Sequence, residues 1–115
     1  MKGAGQPRRL PTAALHILLA LLPGELHGYA LMRKVEELSD GAVRLGPGTL
    51  YGTINRLVDD GLIEETTNRE GRADSERHRY YQLTSTGRSV ALDELARLQT
   101  LVRRVRSGLP NGVTA

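Results

Sequence analysis

The sequence predicts a mainly α fold with a small β-hairpin, followed by one further helix at the C-terminal end. Three observations carry this. Helix-patterned apolar segments occur four times along the chain. Pro-Gly, Asp-Gly and Gly-Pro pairs punctuate the gaps between the first three. Two strand-like runs, Leu62 to Arg69 and Arg77 to Leu83, flank a polar, Gly-containing segment.

Length and composition bound the possibilities. The 115 residues support one domain, or a small domain plus an appended helix. Such a core is marginal alone, so burial on oligomerisation would help. With no Cys, Trp or Phe, there is no disulfide framework, thiolate metal site or cysteine nucleophile. That composition is compatible with a reducing cytoplasm, and a cytoplasmic location is the expectation. The net charge of +3 and pI of about 9.7 allow an anionic partner without requiring one. Lys2, Arg8 and Arg9 precede an apolar run, Ala13 to Leu22, but no small-residue cleavage site follows. The run is shorter than the ~20 apolar residues that cross a bilayer, so no membrane partner is expected.

Residues 1–10 have no periodicity and read as a flexible basic N-terminal arm. Thr12 is a suitable N-cap for the first helix. Nine of the ten residues from Ala13 to Leu22 are apolar. A helix apolar all round must be covered on more than one side; one small domain covers one side, and a second copy would cover another. His16 interrupts it and reads as a hydrogen-bonded histidine, with no acidic or thiol ligand at metal spacing. Pro23 and Gly24 break the chain. A second helix then runs through HGYALMRKVEELSDG, with Leu31, Val35 and Leu38 on one face and Met32 beside them. Arg33, Lys34, Glu36 and Glu37 lie toward solvent, and Asp40-Gly41 closes the helix. His27 is placed to cap or turn, and Gly28 to let a neighbour approach closely.

The third helix, within GPGTLYGTINRLVDDGLI, has its limits written in. Pro47 fits a first helical position, and Gly61 ends the helix. Leu50, Ile54, Leu57 and Val58 share a face. The other face offers Gly48, Thr49, Gly52, Asn55 and Arg56, with no carboxylate before Asp59. A helix holding a core with one side and hydrogen-bonding groups with the other suits a DNA major groove. The hairpin after it carries several arginines, as a wing that neutralises phosphates would. Arg72 at its tip and Arg77 and Arg79 on the return strand are the better candidates; pairing with Glu70, Asp74 and Glu76 is the alternative. Together these elements form a winged helix-turn-helix domain over residues 11–84.

Thr84 caps the last helix. Ala91, Leu95, Leu98, Val102 and Val105 are spaced 4, 3, 4, 3, a heptad seam. Residues 85–106 therefore read as a C-terminal dimerisation helix and 107–115 as a flexible tail. The acceptor for the seam is the apolar first helix, through Leu15, Leu18 and Leu22.

The segments HGYALMRKVEE, GPGTLYGTINRLVDDGLIEE and RHRYYQLTSTGRSVALDEL closely resemble the PadR-like winged-helix transcriptional regulators. The ordered set of His27-Gly28-Tyr29, Gly48-Thr49-Leu50-Tyr51, the Leu57 to Ile63 run and Tyr80 to Gly87 carries the likeness, over about residues 12–106. The resemblance implies a homodimer whose recognition helices read a pseudo-palindromic double-stranded operator, acting as a repressor released by a small-molecule effector. It assigns DNA contact to the Gly48–Tyr51 segment. Gly48 and Gly52 would give clearance for DNA, and the hydroxyls of Thr49 and Tyr51 would donate to phosphate or base. Tyr51 could equally be half-buried with its hydroxyl outward. Asn55 suits adenine and Arg56 guanine, or Arg56 only phosphate; Lys34 and Arg44 are lesser backbone candidates. The chain looks like the short branch, with a single C-terminal helix. Some short members stack flat aromatic compounds between aromatic side chains at the dimer interface. This chain lacks Trp and Phe, and its last helix lacks Tyr, so that pocket is not carried over.

No enzyme is expected: the carboxylates are scattered, the histidines isolated, and Ser75, Ser85, Ser89 and Ser107 have no base in a motif. No cofactor and no metal site is expected either. The competing readings are a winged-helix protein-interaction module and a metal-responsive sensor using His–carboxylate ligands.

Overall fold

The computed structural model describes residues 10–66 and 79–110 of the chain. In chain order the elements are α1 (Thr12–Ala20), β1 (Leu26–His27), α2 (Gly28–Leu38), α3 (Pro47–Asp59), β2 (Ile63–Thr66), β3 (Tyr80–Leu83) and α4 (Ser85–Ser107). This is the predicted winged helix-turn-helix with a C-terminal helix.

Helix α1 lies at the centre and packs on α2, α3 and α4. Its N-cap is the extended Pro11, not Thr12, which is already helical and caps nothing. Ile17 and Leu18 are fully buried, with Ala14, Ala20 and Leu21 nearly so. Three helices of the same chain thus cover most of α1, where the apolar pattern suggested cover on one side only. Leu15, Leu19 and Leu22 stay half-buried, spaced i, i+4, i+7 along one stripe. Leu10 packs on the core's edge, so the last residue of the predicted arm belongs to the folded part; residues 1–9 lie outside the described residues.

Helix α2 is capped by His27, whose Nδ1 accepts the Ala30 N–H at 3.2 Å. Leu31 and Val35 are fully buried. Leu38, predicted on the same face, is 53 % exposed, because at the helix's last position it has passed beyond the elements covering Leu31 and Val35. The helix stops when Asp40 turns left-handed (φ 52°). The Asp40 N–H then returns to the Glu37 carbonyl and the Gly41 N–H to Glu36, satisfying carbonyls that the helix end leaves open.

Gly46 is the extended N-cap of helix α3, and Pro47 sits in its first turn. Leu50, Ile54 and Leu57 are buried; Val58 is 38 % exposed and marks the edge of the face rather than its middle. Gly61, with φ 78°, ends it. Its N–H reaches the Val58 carbonyl, and the Leu62 N–H reaches Leu57 at 2.9 Å, the paired bonds of a left-handed helix stop.

The sheet has three strands, in the order β1-β3-β2. Strands β2 and β3 pair antiparallel with Ile63 opposite Leu83 and Thr66 opposite Tyr80. Strand β1 was not predicted: two residues are too few to show a period. It adds to the far side of β3, with Leu26 opposite Tyr81. The predicted hairpin tip with Arg72, and Arg77 at the start of the predicted return strand, lie outside the described residues.

Thr84 caps α4 as predicted, accepting the Gly87 N–H at 2.9 Å. The same hydroxyl donates to the Gly61 carbonyl at 2.7 Å, tying the end of α3 to the start of α4. At 23 residues, α4 is about 35 Å long. Its first turns bury Gly87 and Ala91; every residue from Leu101 to Pro110 is exposed.

Candidate nucleic-acid interface

The outward face of α3 is Gly48, Thr49, Gly52, Asn55 and Arg56, all exposed. Leu50, Ile54 and Leu57 fix the opposite face in the core, so the outward face is presented on a rigid base. A side chain on Gly48 or Gly52 would meet nothing within 4 Å. Neither glycine has positive φ. In a helix interior a glycine costs roughly 0.5–1 kcal/mol relative to alanine, and less in the first turn, where Gly48 sits. Among the described residues nothing requires either one. No side chain caps the N-terminus of α3, and no acidic residue sits in its first turn. Free N–H groups and the positive end of the helix dipole are therefore offered to an anion.

Tyr51 flanks this face at 37 % exposed. Its hydroxyl is not directed outward. A Cβ built on Gly28 would overlap it and lie 2.9 Å from Tyr51 Cζ. Gly28 thus admits Tyr51, and the pair sets the spacing between α3 and the start of α2. The sequence placed a close approach at Gly28 but could not say that Tyr51 makes it.

The cations differ in availability. Arg56 is exposed and has no hydrogen-bonding or ionic partner among the described residues. Lys34 is half-buried on α2. Arg44 is exposed, with its Nε 3.4 Å from Glu36 Oε2. Arg79 lies at the base of the wing with its Nε 3.1 Å from Glu65 Oε2, and it also hydrogen-bonds the Tyr81 hydroxyl. The sequence offered Arg79 as a phosphate contact; its charge is partly engaged within the sheet. The Tyr81 hydroxyl is held above its ordinary pKa, first by burial and then by the Glu65 carboxylate. At the same base the His27 and Tyr80 rings meet edge-on, centroids 5.6 Å apart.

A positioned helix with one bare face, a three-stranded wing base and a trailing long helix is the arrangement on the page, and the family model for PadR-like transcriptional regulators matches residues 17–93. The chain belongs to that family. It is 39% identical over 95 residues to the transcriptional regulator Rv3488 of Mycobacterium tuberculosis, covering 82% of each chain. A PadR family transcription regulator from Clostridium difficile superposes with a TM-score of 0.70 at 21% identity, covering 87% of this chain and 100% of that one. Bacillus subtilis PadR, solved in complex with operator DNA, superposes with a TM-score of 0.64 at 24% identity, over 91% of this chain and 54% of that one. The PadR-like family is one of transcriptional regulators, not of enzymes.

In this PadR-like chain the residues named for a subunit seam separate by burial into three groups. Leu18 and Ala91 are fully buried in the chain's own core, so they leave the seam. Leu15, Leu22 and Leu98 are half-buried. Leu95, Val102 and Val105 are exposed, the last at 55 %. Leu19, not named from the sequence, takes the place of Leu18 on the open stripe of α1. Heptad position alone could not tell which leucines the chain's own helices would cover. His16 donates from Nδ1 to the Thr12 carbonyl at 2.8 Å. Among the described residues no group of three or more His, Cys, Asp or Glu could hold a metal. No described helix is long and apolar enough to cross a membrane.

Proposed function

We propose that this regulator is a homodimeric repressor that lays the outward face of α3 in the major groove of a pseudo-palindromic operator and is released by a small-molecule effector. The observation that carries the DNA contact is the pair of unexplained glycines. Gly48 and Gly52 weaken α3 and serve no packing purpose among the described residues, whereas a close-lying duplex gives them one. The uncapped N-terminus of α3 supplies donors for phosphate. In this reading Thr49, Asn55 and Arg56 line the contact with the Tyr51 ring at its edge, Lys34, Arg44 and Arg79 stand beside it, and Arg72 and Arg77, outside the described residues, would add phosphate contacts. The B. subtilis PadR complex with operator DNA and the family's regulatory character support this reading, as does the resemblance for repression and effector release.

Selection of bound sites from a random DNA pool tests it: a two-fold motif is expected, and a pool without one counts against the dimeric repressor. Binding should also weaken steeply with salt, as phosphate neutralisation requires. A protein-interaction module would show no such dependence. Arg56→Ala should weaken operator binding by ~1–3 kcal/mol if Arg56 grips a guanine. Equal loss on operator and random DNA would show a phosphate contact only.

For the homodimer, the support is the apolar stripe that α4 leaves exposed and the half-buried Leu15 and Leu19 of α1 with Leu22 just past its end. Leu98→Glu places a charge in the middle of the seam. It should convert a sedimenting dimer to monomer, and an unchanged profile would remove α4 from the interface.

A further inference from the structure

We propose that Thr84 sets the spacing this regulator requires between the two halves of its operator, by holding the end of α3 to the start of α4 at a fixed angle. This rests on the homodimer reading and adds to it the part that carries the position of α4 to the DNA-facing helix. Thr84 is a positioning residue and need not touch DNA.

The junction is built round one hydroxyl. Thr84 Oγ1 donates to the Gly61 carbonyl at 2.7 Å and accepts the Gly87 N–H at 2.9 Å. Gly61 is the residue whose left-handed turn stops α3, and its N–H still bonds the Val58 carbonyl of that helix. Gly87 lies in the first turn of α4. One side-chain atom thus joins the stop of α3 to the first turn of α4, across 23 residues of chain. A hydroxyl suits the task because it donates and accepts at a single atom. The Thr84 N–H also bonds the Leu62 carbonyl, at 3.0 Å. That bond continues the β2–β3 ladder past the Ile63–Leu83 pair, so it orients the strand and not the helix.

A second anchor lies one to two turns further along α4. Arg88 Nη1 donates to the Leu22 carbonyl, just past α1, at 3.2 Å. Ala91 is fully buried, and no described residue of α4 beyond it is. Two anchor points give a rod its direction; with the first released, α4 pivots on the second. The lever arm is long enough to matter. Gly52 lies nine residues before Gly61, about 13 Å along α3. With α4 held in a dimer, play of about 15° at the junction moves the outward face of α3 by about 3.5 Å, close to one base-pair step. A two-fold dimer has this junction in each subunit, so both loosen together.

Three substitutions in the full chain separate the two bonds of the hydroxyl. Thr84→Ser keeps both. Thr84→Asp keeps an acceptor for the Gly87 N–H, and aspartate is a good N-cap, but a carboxylate has no proton to donate to Gly61. Thr84→Val keeps the shape and loses both bonds. Each variant is titrated onto the operator selected by the parent, and onto copies with the half-sites one base pair closer or farther apart. The parent and Thr84→Ser should lose about tenfold or more on either altered copy, and Thr84→Asp and Thr84→Val about threefold or less. All four should prefer the same bases within a half-site. A hydroxyl that served only as a helix cap would leave Thr84→Asp behaving as the parent, and that result overturns the proposal; the homodimer then stands with its helix angle set elsewhere. If Thr84→Val does not fold, Thr84→Asp decides alone. A changed base preference within the half-site would place the effect in α3 itself and overturn the proposal as well. So would a parent that selects a two-fold motif yet tolerates either altered spacing. If the parent selects no two-fold motif, the homodimer reading falls, and this one with it.

Discussion

Gly87→Ala should destabilise the fold by about 3 kcal/mol or more, a large share of the ~5–15 kcal/mol that holds a small domain together. A Cβ at this position overlaps the Leu62 carbonyl oxygen and lies 2.8 Å from its carbon and 3.1 Å from its Cα. These are backbone atoms and have no rotamer to change. The Leu62 carbonyl also accepts the Thr84 N–H at 3.0 Å, so it cannot swing aside without orphaning that donor. Moving α4 instead breaks the bond from the Gly87 N–H to the Thr84 hydroxyl and the one from that hydroxyl to Gly61. Either adjustment adds the loss of a cap, typically ~1 kcal/mol, to the overpacking. Urea unfolding measures the effect directly. Gly24→Ala is the control, since a side chain there meets nothing within 4 Å. Gly87→Ala unfolding within 0.5 kcal/mol of the parent, taken as roughly the scatter of surface changes, would mean that α4 does not start where this junction puts it.

That junction marks the limit of what the sequence discloses. The Thr84 cap and the Gly61 stop are local chemistry and are legible from residue type. The Leu62–Gly87 contact joins residues distant in the chain, and only the fold creates it. The same division runs through the rest of the molecule. The α3 faces follow from helical period, and the buried residues Leu50, Ile54 and Leu57 match them. Val58 and Leu38 miss because period gives direction but not the extent of the surface they face. Strand β1 is set by its pairing with Tyr81 and Tyr80, and two residues carry no pattern of their own. Leu18 looked like seam for the same reason that it is core: an all-apolar helix does not reveal which side its own chain will cover. Arg79 looked like an available cation because Glu65, its partner across the sheet, lies in another strand.

Gly52→Ala should separate folding from function. The substitution relieves the conformational freedom that glycine loses in a helix and should stabilise the protein by roughly 0.5–1 kcal/mol. Space favours it, since the added methyl meets nothing within 4 Å and the backbone is not in a region that alanine avoids. Gly48→Ala should do the same more weakly, because it sits in the first turn, where fewer helical bonds depend on it. If the outward face of α3 lies against DNA, the same methyls intrude where backbone and duplex must be close. Operator affinity should then fall by about tenfold or more, ~1.4 kcal/mol, while the melting temperature rises. The combination is informative because ordinary damage moves both quantities down together. The loss should be greater on the selected operator than on random DNA, since loose electrostatic binding tolerates a gap and a helix seated on base edges does not. A Gly52→Ala protein that is more stable and binds its operator unchanged would show that α3 stands away from the duplex at this turn. The bare face would then need another explanation, and base readout would have to shift toward Thr49 at the start of the helix.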